Sequence, residues 1–385
     1  MAWGEKVPRE LEDAVYAAAR QVLGDEVLAP AALNRAIVDR SQRYTSDRDR
    51  LSDGGPGDLA ARAVFFTIAD AMKIAIPIAE LRQRGALPTR QPMRVVDLGA
   101  GCGAMTLGLL ASIDTALEVV AIDHDAKALA IAKLATEAFA ETDVLARIAK
   151  AMAAPSRFSI STRTADVTRV ELPPADLVVL GTVLNELPHE LALAVVERAL
   201  AAIADDGAVI IVEPALRDTS RALHAIRDAV ITRGASVFAP CTRRTAPCTA
   251  LENVNDWCHE DRPLVLSPRT AELAKRTHLR DTGMKFSYLV LRRQAHDLVP
   301  AGDAAWRVVS APMPAKGKLE LIGCNAHGRV TLRLLKRNRA AGNRPFERAD
   351  RGDVIEVTAA PTDDRLEIAA ETTVTLRSFD DGDDD

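Results

Sequence analysis

One short segment combines glycines and acidic residues in the spacing that a nucleotide-like ligand requires. An apolar run carries Asp97 near its end and leads directly into Gly99-Ala100-Gly101-Cys102-Gly103. Glycines at alternate positions allow positive φ angles and let a ligand lie against the main chain. A second apolar run ends at Asp123, where a carboxylate can accept hydrogen bonds from both hydroxyls of a ribose. The segment therefore predicts a site for a ligand that contains a ribose.

This pattern resembles the S-adenosylmethionine (SAM) site of class I methyltransferases. It differs from the dinucleotide pattern, because the G-x-G-x-x-G spacing is absent. The alternative is a glycine-rich turn in some other Rossmann-like protein. The resemblance implies that the residues around SAM include Asp97, Gly99, Ala100, Gly101, Gly103 and Asp123.

Three further polar residues follow the next strands of the predicted sheet. Asp166 comes after the third strand, at the position where family members hold the adenine amino group. Asn185 and Glu186 follow the fourth strand, where methyltransferases line the methyl-donor pocket, and they are the candidate catalytic residues; Asn185 is also a candidate SAM ligand. The alternative for both is a helix N-cap and a first-turn acid. Methyl transfer depends mainly on positioning, and the sequence identifies no catalytic base.

The remaining pattern predicts an α/β fold. From Met93 onward, strand patterns alternate with helix patterns, which builds a mostly parallel sheet through right-handed crossovers. The expected architecture is the Rossmann-like, seven-stranded sheet of class I methyltransferases. A long apolar helix before it is predicted to kink at Pro77. The predicted units are a helical region over 1–90, a SAM-binding methyltransferase domain over 91–294 with a cysteine-containing insertion over 240–282, a C-terminal β barrel or sandwich over 295–378, and a disordered acidic tail over 379–385.

Composition narrows the possible function classes. The chain has 385 residues, a net charge of −5 and 4% aromatic residues, so a wide base-stacking platform for single strands is not expected. Neither a signal-peptide pattern nor an apolar stretch of transmembrane length is found, which predicts a cytoplasmic protein without a membrane partner. The 5 cysteines are then candidates for metal binding or catalysis. Cys102, within the glycine loop, is predicted to be a small packing residue.

The other cysteines form a constellation with wide gaps. Cys241, Cys248 and Cys258 lie in the insertion, and Cys324 lies in the C-terminal β region. Thiolates in such number suggest a metal centre. A structural zinc site usually contains paired C-x₂₋₄-C knuckles, which are absent here, whereas the larger body of an iron–sulfur cluster suits uneven spacing. Spacing therefore favours an iron–sulfur cluster, with zinc and metal-free buried cysteines as alternatives.

The combined segments resemble the methyltransferase-like assembly factors of the mitochondrial small ribosomal subunit and their bacterial relatives. The resemblance rests on the glycine loop, Leu184-Asn185-Glu186-Leu187, Ala239-Pro240-Cys241, Pro247-Cys248, Trp257-Cys258-His259, Lys285-Phe286-Ser287-Tyr288 and Cys324. It implies a [4Fe–4S] cluster whose ligands are Cys241, Cys248, Cys258 and Cys324. It also implies a protein that binds or modifies the small ribosomal subunit and its rRNA. The chain departs from the family pattern at Cys241-Thr242-Arg243, where the family often has Cys-Pro-His.

Basic residues are concentrated in two segments, 243–280 and 329–351. Because phosphate neutralisation supplies most of the affinity for nucleic acid, these segments are candidate rRNA contacts. No DNA partner is expected. The alternative is an ordinary solvated surface. Three functions remain open at this point: a methyltransferase acting on rRNA, a non-catalytic assembly factor that uses the fold as a binding module, and a small-molecule methyltransferase with a structural zinc site.

Overall fold

A computed structural model describes residues 6–46, 55–142, 158–280, 283–294, 304–357, 362 and 364–377. The predicted acidic tail lies outside the described residues. Within them, no helix is both long and apolar enough to span a membrane.

The chain begins with helices that pack on one face of a large sheet. They are α1 (Arg9–Leu23), α2 (Pro30–Ser46), α3 (Gly55–Ala61), α4 (Ile68–Ala71) and α5 (Ala75–Gln83). The helical pattern that the sequence predicts as one kinked helix is interrupted twice, by a π-helical turn over Arg62–Thr67 and a 3₁₀ turn over Met72–Ile74. The kink at Pro77 stays a prediction; Pro77 lies in the first turn of α5, directly after the 3₁₀ turn.

Strands and helices then alternate as predicted. The elements are β1 (Met93–Leu98), α6 (Ala104–Ser112), β2 (Leu117–Asp123), α7 (Ala126–Ala140), β3 (Phe158–Thr164), β4 (Ala175–Gly181), α8 (His189–Ala202), β5 (Ile203–Pro214), α9 (Arg217–Thr232), β6 (Ser236–Ala239), β7 (Glu260–Arg262), α10 (Pro268–Thr277) and β8 (Met284–Arg292). The strand order is β3-β2-β1-β4-β5-β8-β6, and β8 runs antiparallel to both of its neighbours. The predicted seven-stranded sheet is confirmed, with the short strand β7 of the insertion added beside β8.

Alternate residues of each central strand face opposite layers. Val95 of β1 packs in the core formed with α6, α7 and the N-terminal helices, whereas Val96 packs in the core formed with α8 and α9. Both faces of the sheet are therefore covered, which explains the nearly continuous apolar strand sequences. The carboxyl ends of the parallel strands meet at one edge, the edge at which such folds bind ligands.

The C-terminal region forms a second sheet around its own core. Its strands are β9 (Ala305–Val308), β10 (Met313–Ala315), β11 (Lys318–Asn325), β12 (Gly328–Leu335), β13 (Val354–Val357), β14 (Arg365–Ile368) and β15 (Val374–Arg377). The strand order is β14-β12-β11-β9-β13-β15, and β10 pairs with β11. Trp306, Leu332 and Phe346 are among the side chains buried in its core.

Candidate SAM cavity and cysteine centre

A cavity of about 790 Å³ opens at the carboxyl ends of β1, β2, β4 and β5. Its volume lies within the range of small-molecule sites, roughly 300–1,000 Å³. Of the residues predicted to surround SAM, those that line this cavity are Gly99, Ala100, Gly101, Asp123, Asp166 and Glu186.

The glycine loop has the backbone conformation that its sequence requires. Gly99 and Gly101 have φ angles of 76° and 51°. A Cβ atom at Gly99 would lie 2.4 Å from a methyl group of Val183, so a larger residue is excluded there. Asp123 holds the loop from the next strand, because its Oδ2 accepts a hydrogen bond from the Gly101 N–H at 2.8 Å. Its Oδ1 accepts one from the Asp125 N–H at 2.9 Å. Carboxylate oxygens have further lone pairs, so these bonds leave acceptor capacity for a ligand.

Asp97 and Gly103 lie behind the loop and do not line the cavity. Asp97 is buried, and its Oδ2 accepts hydrogen bonds from the Thr106 hydroxyl (2.6 Å) and N–H (3.2 Å). Burial is the main cause that raises the pKa of Asp97 to about 6. Gly103 has φ 88°, and a Cβ there would lie 3.1 Å from the Ala132 Cβ of α7. Both residues thus connect the loop to the helices beneath it.

Asn185 also lies outside the cavity wall, and a buried acid explains its orientation. Glu213, near the end of β5, accepts hydrogen bonds through Oε2 from the Asn185 side chain (2.7 Å) and through Oε1 from the N–H groups of Val183 (3.1 Å) and Leu184 (2.8 Å). The pKa of Glu213 is raised to about 7, and burial is the largest cause of this shift. Glu213 therefore fixes the segment after β4. That segment begins at Thr182, a non-glycine residue with φ 62° that lines the cavity.

The N-terminal helices supply cavity residues that sequence reasoning missed. Arg40, Arg62, Phe66 and Asp70 line the side of the cavity opposite the sheet. Arg62 forms an ion pair with Asp125 at 3.0 Å, which ties the π-helical turn to the beginning of α7. No local spacing signals these residues, since the tertiary fold alone brings them to the glycine loop.

The four cysteines of the predicted cluster line a second, smaller cavity. Cys241, Cys248, Cys258 and Cys324 meet around a space of about 50 Å³ between the insertion, β8 and the C-terminal sheet. All four are free thiols. Across the described residues, no three His, Cys, Asp or Glu side chains converge closely enough to hold a single metal ion. The donor set thus consists of four thiols that line one space.

One face of α9 holds the loops that carry these cysteines. Arg221 donates hydrogen bonds to the carbonyls of Ala250 (2.9 Å), Asn253 (2.7 Å) and Asp256 (2.9 Å), in the loop between Cys248 and Cys258. Two turns later, the Arg227 guanidinium donates to the carbonyls of Arg243 (2.6 Å) and Thr245 (3.2 Å), in the loop between Cys241 and Cys248.

Two more α9 residues contact the cysteine backbones directly. His224 Nε2 accepts a hydrogen bond from the Cys258 N–H at 2.9 Å, and Asp228 accepts one from the Cys248 N–H at 2.8 Å. The pKa of His224 is lowered to about 3, and burial is the largest cause of this shift. The imidazole is therefore neutral and available as an acceptor.

The surroundings of the thiols favour negative charge at the centre. Arg329 of β12 donates a hydrogen bond to the Cys258 Sγ at 2.7 Å, and the Arg227 guanidinium contacts the Cys241 thiol. Burial, the largest cause in each case, nevertheless raises the thiol pKa values of Cys248 and Cys324 to about 12. A cationic metal body would stabilise their thiolates, and nearby guanidinium groups suit the net negative charge of an iron–sulfur cluster with four thiolates. The residues present therefore fit such a group.

The two predicted basic surfaces are only partly exposed. Arg329 forms an ion pair with Asp256, and Arg333 pairs with Glu320 (2.6 Å) and Glu367 (3.3 Å). Acidic residues that are distant in sequence supply the partners of these arginines. The basic side chains of the C-terminal region that stay exposed without an ion pair among the described residues are Lys316, Lys336, Arg337, Arg344, Arg348 and Arg365.

The strand order, with its antiparallel β8 and a cavity beside the glycine loop, defines a class I methyltransferase fold. The family model described as mitochondrial small ribosomal subunit Rsm22 matches residues 74–355. The chain belongs to the Rsm22 family, as the sequence motifs predict. A comparison with curated proteins gives no match.

Several solved structures of methyltransferases are similar to this chain at low identity. The magnesium protoporphyrin IX methyltransferase of Synechocystis PCC 6803 with bound SAM is 16% identical over 67% of this chain and 96% of that one, with a TM-score of 0.34. An O-methyltransferase family protein of Burkholderia thailandensis is 16% identical over 70% and 72% of the two chains, with a TM-score of 0.37. TrmN of Thermus thermophilus is 20% identical over 56% and 47%, with a TM-score of 0.28.

Proposed function

We propose that this protein is a SAM-dependent methyltransferase that acts in the maturation of the small ribosomal subunit. The observation that carries the proposal is the glycine loop, held open by Asp123 beside a cavity of about 790 Å³, within the residues shared with the Rsm22 family. In this proposal the loop backbone lies against the bound SAM, Asp123 accepts its ribose hydroxyls and Asp166 its adenine amino group. Asp97, Gly103 and Asn185 support the cavity from behind.

The chemistry proposed for the cavity is positioning and exclusion of water. The transferred methyl group is already activated on the sulfonium, so an oriented acceptor and a dry site supply most of the acceleration. Glu186 is the candidate catalytic acid or base, because it lines the cavity and its pKa is raised, mainly by burial.

Titration with S-adenosylhomocysteine (SAH) tests the cavity. In Gly101→Arg the added side chain would enter space where a Cβ alone lies 3.3 Å from Arg62, so SAH binding should be lost. The matched control is Gly317→Arg, because Gly317 also has positive φ (81°) and nothing lies within 4 Å of its Cβ position. Equal SAH affinity in Gly101→Arg and the wild type would contradict the proposed site. SAH binding without methyl transfer to immature small-subunit RNA would contradict the catalytic part of the proposal.

For the cysteine centre, we propose a [4Fe–4S] cluster with Cys241, Cys248, Cys258 and Cys324 as ligands. The support is the convergence of the four thiols on one cavity with guanidinium groups beside them. When bound, the cluster would supply a cross-link between the insertion and the C-terminal sheet, since its ligands come from both. Protein purified without oxygen should show a broad visible absorption band that is lost in Cys258→Ser and kept in Cys102→Ser, whose thiol is buried in the glycine loop. A colourless protein that contains zinc would contradict the cluster.

We further propose that the partner is rRNA and that the exposed basic residues of the C-terminal region bind its phosphates. Lys336, Arg337, Arg344 and Arg348 lie in one segment of that region. Removal of each phosphate-binding side chain should reduce the slope of log affinity against log salt by about one. The double variant Arg337→Ala/Arg344→Ala should therefore bind small-subunit RNA more weakly and with a smaller slope. Arg90→Ala, before β1 at the opposite edge of the sheet, is the control. Salt-independent binding by the wild type would exclude this surface.

A further inference from the structure

A short series of contacts through the connection between β5 and α9 joins the SAM cavity to the cysteine cavity. Residues Pro214, Ala215 and Leu216 connect β5 to α9, and all three line the SAM cavity. The indole Nε1–H of Trp257 donates a hydrogen bond to the Ala215 carbonyl at 3.2 Å. Trp257 directly precedes Cys258, so one peptide bond separates a SAM-cavity contact from a cysteine of the second centre.

A second connection runs through β8. The Ser287 hydroxyl donates a hydrogen bond to the Cys258 carbonyl at 2.7 Å. Lys285, on the same strand, lines the SAM cavity and forms an ion pair with Asp261 at 3.2 Å. The chain around Cys258 is therefore attached to the SAM cavity on both sides of the cysteine.

The helix α9 makes the connection stiff. Its first turn follows Leu216 at the SAM cavity, and His224, two turns later, accepts the hydrogen bond of the Cys258 N–H. A helix transmits a displacement between its ends better than a loop does, because its backbone hydrogen bonds fix the rise per residue. The backbone around Cys258 cannot shift without changing contacts at the SAM cavity.

We propose that Trp257 is a positioning residue of the SAM cavity and that occupancy of the cysteine centre sets the affinity of that cavity for SAM. With a metal body ligated at Cys258, the backbone there would keep Trp257 against Ala215, and without that ligation the indole and the connection between β5 and α9 would be free to move. This inference rests on the proposed function, because it assigns a regulator to the proposed SAM site. Coupling between two sites is reciprocal, so bound SAM must also retain the metal body more firmly.

The first measurement is SAH affinity of metal-loaded protein by calorimetry. Trp257→Phe keeps the aromatic ring, which stacks on His259, and removes the N–H donor. Loss of one such hydrogen bond should weaken SAH binding about threefold to tenfold, with an unchanged metal content. Val254→Ala, in the same loop with Val254 70% exposed, is the control and should bind as the wild type does. Trp257→Phe affinity within twofold of the wild type would overturn the proposal.

The second measurement separates positioning from general stability and needs no stripped protein. The rate at which a chelator removes the metal is followed with and without saturating SAH. In the wild type SAH should slow removal severalfold, and in Trp257→Phe SAH should slow it less. If SAH binds to the wild type but does not slow removal of the metal, the inference is overturned and the proposed function stands. Wild-type protein that binds no SAH overturns the proposed function and this inference together.

Discussion

Glu213 illustrates how a single buried carboxyl can determine the shape of a binding site. It is 1% exposed and accepts hydrogen bonds from three consecutive residues after β4. These residues follow Thr182, whose positive φ is unfavourable for a β-branched side chain. The hydrogen bonds to Glu213 offset that cost and hold the segment at the cavity.

Glu213 should make stability fall as the pH rises. Its pKa is raised from 4.5 to about 7, mainly by burial, so the folded protein binds this proton more tightly than the unfolded chain does. The stabilisation is complete below pH 4.5 and is lost as the pH rises through 7, a change of up to about 3 kcal/mol. Glu213→Gln removes this titration. Urea denaturation at pH 5 and pH 8 gives the free energies of unfolding of both proteins. Relative to the wild type, the variant should be more stable at pH 8 than at pH 5. An equal difference between the two proteins at both pH values would argue against a raised pKa of Glu213.

At the residue scale, sequence reasoning reached only the side chains that a local motif carries. The glycine loop and Asp123 are adjacent to strand ends, and the pattern of the strands indicates their position. Glu213 and Arg62 carry no such signal, because their roles depend on contacts with segments far away in sequence. For Arg329, sequence reasoning predicts an exposed position that the structure does not show. Its basic sequence neighbours suggest a side chain on the surface, whereas Asp256 and Cys258 contact it in the structure.

Among the elements, α9 has the most connections. One side of it packs on the sheet, and a second side carries the side chains that hold the cysteine loops. Its charged residues are, in sequence, typical of an ordinary solvated face. The structure instead uses their hydrogen bonds to satisfy loop carbonyls, which otherwise lack partners in irregular backbone.

Arg221 should control the order of the loop between Cys248 and Cys258. In Arg221→Ala that loop loses hydrogen bonds to four of its carbonyls, at Ala250, Leu251, Asn253 and Asp256. Glu252 of this loop is exposed, so a glutamate-specific protease should cut there several times faster in the variant. Arg217→Ala is the matched control, since Arg217 lies on the same helix and pairs only with exposed Asp218 in the described contacts. Unchanged cleavage in Arg221→Ala would show that the loop is held by other contacts.

The alternation of strands and helices was predictable, and the confirmed fold class follows from it. Periodicity is a local property, and the central strands of this sheet are apolar enough to be recognised alone. The breaks at Arg62–Thr67 and Met72–Ile74 were not predictable. Gly108 of α6 indicates a reason: a Cβ there would lie 1.9 Å from the Ala71 carbonyl oxygen, so close helix packing shapes the turn. The proposed domain boundaries stay predictions.

At the scale of the whole molecule, a buried ionic cluster joins four parts of the chain. Arg307 of β9 contacts Glu80 of α5 (2.6 Å), Glu260 of β7 (3.2 Å) and the Tyr288 hydroxyl of β8 (2.9 Å). All four side chains are buried. The C-terminal sheet is therefore tied to the methyltransferase fold through charges that cannot separate without exposing or orphaning a partner.

Arg307→Ala should be strongly destabilising. It removes the cation that Glu80 and Glu260 share, whereas Arg84 still pairs with Glu80 (2.9 Å) and Arg262 with Glu260 (3.2 Å). Breaking a buried pair typically costs about 3–5 kcal/mol, and these remaining partners place the expected loss at the lower end of that range. The midpoint of urea denaturation should fall accordingly. The control is Arg333→Ala, which removes an ion-paired arginine from the surface of the same sheet and should cost less than about 1 kcal/mol. Equal midpoints for the two variants would mean that the cluster contributes little to stability.

The position of β8 in the strand order has a consequence for synthesis of the protein. In the described pairing, β6 has β8 as its only neighbour, and the outer edge of β5 is covered by β8 alone. Residues 240–282, with three of the cysteines, leave the ribosome before β8 does. A nascent chain that ends before Met284 thus carries an unpaired strand, an open sheet edge and free thiols at the same time. β6 and the outer edge of β5 can be paired only after this last strand of the large sheet has been translated.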